Sequence, residues 1–186
     1  QDVERAGGPV LVHEGDANRA WRWNADVPGV YVVRIDELDR MRSVVVTGVS
    51  TGIGWATTKV LIKGGFHVFG SVRKAADAER LKGEFGAAFT PLMFDVTDEA
   101  AINAAAGEVR AALKGEPLAG LVNNAGVAVA GPLLYLKPED FRWQMEVNLT
   151  SLLLVTQAFA PLLGTDPDVK GPKGRLVNIG STGGRN

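Results

Sequence analysis

The sequence predicts an α/β fold, a doubly wound parallel sheet of about five strands. Three observations predict it. From Ser43 onward short β-branched runs alternate with longer helical periods, the pattern of repeated βαβ units. The strand candidates are apolar along their whole length, as strands covered on both faces must be. A cluster of glycines sits where the first strand meets the first helix.

The elements follow in order. Strands are predicted at 43–47, 66–72, 89–94, 118–122 and 175–179, each short, apolar and bounded by Gly, Pro, Asn or Asp. Helices are predicted at 52–63, 75–85, 98–114 and 138–163. Asp98 stands as a cap ahead of acids, and Pro138 takes a first-turn position before Glu139 and Asp140. On the last helix Phe141, Met145, Leu149, Leu152, Phe159 and Leu163 fall at three- and four-residue spacings that predict one buried stripe. Asn148 lies on that stripe. A polar side chain aimed at a core needs partners, so Asn148 is either a bridge holding a kink or part of a site.

Composition narrows the classes. The 186 residues are 46% hydrophobic and 22% charged, which excludes disordered, collagenous and coiled-coil chains. Lys plus Arg total 20 against 21 Asp plus Glu, a net charge of -1, so no broad positive field gathers nucleic acid or an anionic membrane. With no cysteine there is no disulfide, thiolate metal site or cysteine nucleophile, and no metal site is predicted. The uncharged-rich stretches 117–136 and 147–165 are broken by Gly, Pro, Asn and Gln and are not expected to span a bilayer. No signal-peptide pattern follows Gln1, so a soluble, cytoplasmic protein is expected.

Residues 1–40 do not share the βαβ rhythm. Gly7-Gly8-Pro9, Pro28-Gly29 and the Trp21-Arg22-Trp23 pair break it, and only 30–35 reads as a strand. They form an expected N-terminal extension of unknown role, dispensable for the domain over 41–186, with Met41 as a natural initiation point. Both ends of the chain look cut.

The chemistry gathers at strand ends. In Thr47-Gly48-Val49-Ser50-Thr51-Gly52-Ile53-Gly54, Gly48 permits the tight turn, Gly52 lets backbone approach a pyrophosphate, and Gly54 lets the helix pack on the strand. The anion then rests on free N–H groups at the positive end of the helix. A Walker loop needs Gly-Lys-Ser/Thr, and here Trp55 and Ala56 follow Gly54. An NAD-preferring site or a methyltransferase places an acid at the end of the second strand, where this chain has Val72 followed by Arg73 and Lys74. A guanidinium at that point matches a 2'-phosphate and favours NADP over NAD, the plainer alternative being a solvated basic pair. Asp95-Val96 is placed to meet an adenine. Asn123-Asn124-Ala125-Gly126 and Ser181 fall beyond the fourth and fifth strands, at the same edge.

Together Thr47-Gly48-x-x-x-Gly52-Ile53-Gly54, Asp95-Val96, Asn123-Asn124-Ala125-Gly126, Asn148 and Val177-Asn178-Ile179-Gly180-Ser181 resemble the short-chain dehydrogenase/reductase family in order and spacing, over 41–186. The resemblance implies a Rossmann sheet and an NAD(P) site built from Gly48, Ser50, Thr51, Gly52, Ile53, Gly54, Arg73, Asp95, Val96, Asn123, Ala125 and Gly126. It places Ser181 and Asn148 in a catalytic Asn-Ser-Tyr-Lys set. Ser181 would hold the substrate oxygen and Asn148 a water in the proton path. The expected function is NADP-dependent reduction of a small carbonyl compound, or oxidation of an alcohol, by an enzyme that is a homo-oligomer when complete.

One departure is large. The family's Tyr-x-x-x-Lys is absent from the 186 residues: Tyr31 and Tyr135 are followed four positions on by Ile35 and Glu139. The chain is therefore read as a fragment of an oxidoreductase, inactive alone, with a non-catalytic dinucleotide-binding module as the alternative. The apolar segment 127–136 is expected to border a lipophilic substrate.

Overall fold

The computed structural model describes residues 42–181, so the extension read at 1–40 lies outside the described residues. Five strands, β1 (Ser43–Val46), β2 (His67–Val72), β3 (Phe89–Met93), β4 (Gly120–Asn123) and β5 (Arg175–Asn178), form one parallel sheet in the order β3-β2-β1-β4-β5. Val45 sits between Phe69 of β2 and Leu121 of β4, which places β1 at the centre. This is the parallel sheet that the alternation predicts, in the Rossmann arrangement that the family resemblance implies.

The two-residue period of β1 divides the core between two faces. Val44 and Val46 pack with Val68, Leu81 and Phe89 under α1 (Gly52–Lys63) and α2 (Ala75–Phe85). Val45 packs with Phe69, Leu121, Ile102 and Phe159 under α3 (Glu99–Leu113) and the last helical run. Gly70 interrupts β2 for a local reason: a Cβ there would come within 2.6 Å of Val49 Cγ2 and 2.5 Å of Phe89 Cε2.

Boundaries shift where a polar group finds a partner outside the ladder. Asp98 caps α3 by accepting from the Ala101 amide at 3.0 Å and so precedes the helix. The Leu118 amide donates to Leu162 O at 2.8 Å, and β4 pairs from Gly120 to Asn123, later than the predicted 118–122.

The predicted single helix over 138–163 is four segments: α4 (Pro138–Met145), a π-helical stretch (Glu146–Thr150), α5 (Ser151–Phe159) and a 3₁₀ turn (Ala160–Leu163). The extra residue per π turn rotates the following face, so the predicted stripe does not stay on one side. Phe141, Met145 and Leu149 are exposed, whereas Val147, Ser151, Val155, Phe159 and Leu162 are buried. This run is long and apolar enough to cross a bilayer, a test that core helices also pass. Its buried side chains instead join those of α3 in one core cluster.

β5 is a second departure from a covered strand. All four residues are exposed, with Leu176 and Val177 each at 44%.

His67, on β2, shares a 2.9 Å hydrogen bond with Thr90 Oγ1 and packs its ring edgewise on Phe69. Burial favours the neutral ring and holds its pKa below the ordinary value, against a backbone bond at Ala87 that acts the other way. The unfolded chain therefore takes up this proton first as pH falls below about 6.5, and folded stability drops on acidification through that window. Urea midpoints measured from neutral to mildly acid pH should fall less steeply for His67→Phe than for the parent. Equal slopes would remove His67 from the acid response.

Candidate functional site

The site starts where β1 ends. Gly48 and Gly52 have φ of 68° and 61°, a region open to glycine at little cost. A Cβ on Gly48 would stand 2.9 Å from Ala125 Cα, and one on Gly54 would collide with the Gly48 carbonyl oxygen and lie 2.5 Å from Asn124 Nδ2. Apart from its chain neighbours and its own helix, no atom lies within 4 Å of where a Cβ on Gly52 would stand, so that side adjoins open space. Gly54 thus serves packing, and Gly52 serves its left-handed backbone conformation.

The turn is clamped from two strands. Gly48 N donates to Ser71 Oγ at 2.9 Å, and Val49 N to Ser71 O at 3.1 Å. From beyond β4, the amides of Asn124 and Ala125 donate to Thr47 Oγ1 at 2.9 and 3.0 Å, while Asn124 Nδ2 donates to the Thr47 and Gly48 carbonyls at 2.9 and 3.1 Å. Helix α1 begins there with no side-chain bond from its N-cap Thr51 and no acid in its first turn. Its first amides and positive dipole end are not neutralised by the cap, which suits an anion.

Except for Gly52 and Asn123, the predicted cofactor residues all line one cleft of about 350 Å³ at the carboxyl ends of the strands. Arg73, the first residue after β2, is 67% exposed along its side chain and stands 3.5 Å from Asp95 Oδ2. Asp95 Oδ1 accepts from the Thr97 amide at 3.0 Å and hydroxyl at 2.9 Å. Partial burial acts to raise the Asp95 pKa, but the Thr97 bonds and the Arg73 charge outweigh it and hold the carboxyl below its ordinary value.

Two predicted residues take other places. Asn123 is 5% exposed and turns inward, donating to Thr156 Oγ1 at 3.1 Å and Asn178 Oδ1 at 2.9 Å. It joins β4, β5 and α5, and its neighbour Asn124 takes the cleft wall. Asn148 sits in the π-helical stretch and is exposed. Its Oδ1 accepts from the Val127 amide at 2.9 Å and its Nδ2 donates to the Val127 carbonyl at 2.8 Å. One turn earlier Gln144 Oε1 accepts from the Val129 amide at 2.9 Å. Gln144 was not anticipated, although two amide side chains four residues apart were a legible signal of one face gripping a loop. Ser181 follows β5 at the same end of the sheet as the cleft and is exposed.

In the segment 127–136, Leu133, Leu134 and Tyr135 are each more than 80% exposed. Leu133, Leu136 and Phe141 line a second, open pocket away from the glycine turn. Among the described residues no group of three or more His, Cys, Asp or Glu is placed to hold a metal ion.

The glycine turn, its clamp and the uncapped start of α1 together fit a dinucleotide pyrophosphate. Comparison with known proteins agrees. The chain is 41% identical over 144 residues to an NADPH-dependent 3-dehydrocapnine reductase of Ornithobacterium rhinotracheale, a match covering 77% of this chain and 50% of that protein. It is 34% identical over 140 residues to a serine 3-dehydrogenase of Agrobacterium fabrum, covering 75% of this chain and 53% of the relative. Among solved structures, NADPH-bound carbonyl reductase from chicken fatty liver superposes with a TM-score of 0.69 at 33% identity, over 78% of this chain and 59% of that one. The chain spans about half the length of the curated relatives it matches. A family model described as short chain dehydrogenase matches residues 42–186, and the chain belongs to that family of oxidoreductases.

Proposed function

We propose that this chain holds the NADP(H) of a reductase of small carbonyl compounds and supplies part of its catalytic set. The observation that carries the cofactor choice is Arg73. It stands at the carboxyl end of β2 and lines the cleft, where an NAD site would carry an acid. The NADPH dependence of the Ornithobacterium relative and the NADPH in the chicken structure support it.

NADPH, when bound, supplies a hydride to a carbonyl carbon. The chain's own residues bind and orient. Amides at the start of α1 hold the pyrophosphate, which reaches the backbone of the turn from the cleft that Ser50, Thr51 and Ile53 line. Arg73 is long and mostly exposed, so it can turn from Asp95 to a 2'-phosphate and meet it with paired N–H groups. Ser181 donates its hydroxyl to the substrate oxygen and stabilises the charge that develops there. Asn148 is a positioning residue: both of its polar atoms are engaged by Val127, so it ties the loop after β4 to the π-helical stretch. Adding the proton requires a donor outside this set.

Calorimetric titration tests the reading. A good charge-assisted hydrogen bond is worth ~1.5–3 kcal/mol, so NADP⁺ should bind roughly tenfold or more tightly than NAD⁺. Arg73→Ala should erase the difference chiefly by weakening NADP⁺. Equal affinities in the parent, or a preference that survives in the variant, would remove the 2'-phosphate role.

A further inference from the structure

We infer that Arg80 is a positioning residue for the dinucleotide, setting its affinity through the shape of the glycine turn and not through charge. This rests on the cleft being the cofactor site. Arg80 lies on α2, outside the cleft lining, yet its Nη2 donates to Ser50 O at 2.6 Å across 30 residues of sequence. The same guanidinium is held by its own helix, with Asp77 Oδ1 at 3.2 Å and Glu84 Oε2 at 3.7 Å. Glu84 in turn accepts from Trp55 Nε1 of α1 at 3.0 and 3.1 Å. The tether therefore joins α2, α1 and the glycine turn that precedes α1.

Its target is the part of the turn with most freedom to lose. Ser50 and Thr51 lie between two glycines of positive φ, and ordering such a segment carries a high entropy cost. The Gly48 end is clamped by Ser71 and Asn124. In a planar trans peptide the C=O and the following N–H point in opposite directions, so a carbonyl fixed on Arg80 also fixes the direction of the Thr51 N–H. Both Ser50 and Thr51 line the cleft. A turn ordered before the ligand arrives leaves less ordering cost to binding. Because Asp77 and Glu84 flank the guanidinium with two carboxylates, its charge is locally offset, which leaves it little preference for a 2'-phosphate. Arg73 and Arg80 thus divide the work, one selecting the phosphate and the other shaping the turn.

The test uses the 186-residue chain with Arg80→Met and Arg80→Lys, titrated with NADP⁺ and with NAD⁺, and melted without nucleotide. Arg80→Met should weaken both nucleotides by a common factor, about three- to tenfold, and leave their ratio unchanged. Arg80→Lys, which keeps a donor, should recover part of the loss and guards against a Met variant that does not fold. Unliganded melting midpoints should stay close to the parent, since the residue is on the surface. Unchanged affinities in both variants overturn the inference, and so does a loss confined to NADP⁺, which would make Arg80 a phosphate ligand. A parent chain that binds neither nucleotide overturns the cofactor reading itself, and this inference with it.

Discussion

NADPH oxidation by the 186-residue chain, with any small ketone or aldehyde, is expected to run at least about 100-fold below that of a relative carrying Tyr-x-x-x-Lys. Hydride transfer leaves an alkoxide that needs a proton, and a positioned general acid contributes ~100- to 10,000-fold. Ser181 can hold the oxygen, but a serine hydroxyl is a far weaker acid than a phenol and a poor proton source at neutral pH. Neither Tyr31 nor Tyr135 has a lysine four positions on. Tyr135 is 81% exposed in a 3₁₀ turn at Leu133–Tyr135, where water competes for any proton it would pass. The assay pairs this chain with one extended to include Tyr-x-x-x-Lys, over a panel of carbonyl compounds. Comparable rates in both, abolished in the short chain by Tyr135→Phe, would show that Tyr135 is the acid.

Gly54→Ala should abolish nucleotide binding and lower stability by ~2–3 kcal/mol or more, because the new methyl meets the Gly48 carbonyl and the Asn124 amide, two groups that form the turn itself. Gly52→Ala isolates the backbone cost. Apart from chain neighbours and the helix itself, no atom lies within 4 Å of that methyl, so its stability cost should be only the ~1–2 kcal/mol of a left-handed backbone. Gly52 does not line the cleft, so nucleotide binding should fall only in proportion to stability. Urea unfolding and calorimetry on the two variants read both quantities. Parent-like stability and affinity in Gly54→Ala would refute the close packing of helix on turn.

Glycine was legible in the sequence because it marks backbone needs directly. The spacing of Gly48, Gly52 and Gly54 marks the turn from sequence, and alternation with apolar runs marks a parallel sheet, whereas the Rossmann arrangement follows from the family resemblance. What stayed hidden depends on where a side chain goes. Asn123 and Asn124 are the same residue type in the same turn, and only the strand pleat sends one into the β4–β5–α5 junction and the other to the cleft. The stripe on 138–163 assumed a constant 3.6-residue period. The π-helical stretch breaks that period at Asn148, whose two bonds to Val127 belong to a loop some 20 residues earlier, beyond the reach of a local pattern. Arg80 gave no signal because its partner is a backbone carbonyl, which every residue carries.

The Thr47 hydroxyl that takes both the Asn124 and Ala125 amides also bears on the order in which the molecule assembles. Those bonds span 77 and 78 residues of chain. Closing such a loop is slow compared with making a helical turn, because its entropy is lost before any contact repays it. The glycine turn can be approximated as soon as β1 and α1 exist, yet it reaches its clamped form only after the intervening units have folded and β4 has docked. Nucleotide affinity is therefore a late-acquired property of this polypeptide. Cofactor present during refolding would act on the last barriers, capturing chains that are already nearly native, and would do little to hasten the first collapse.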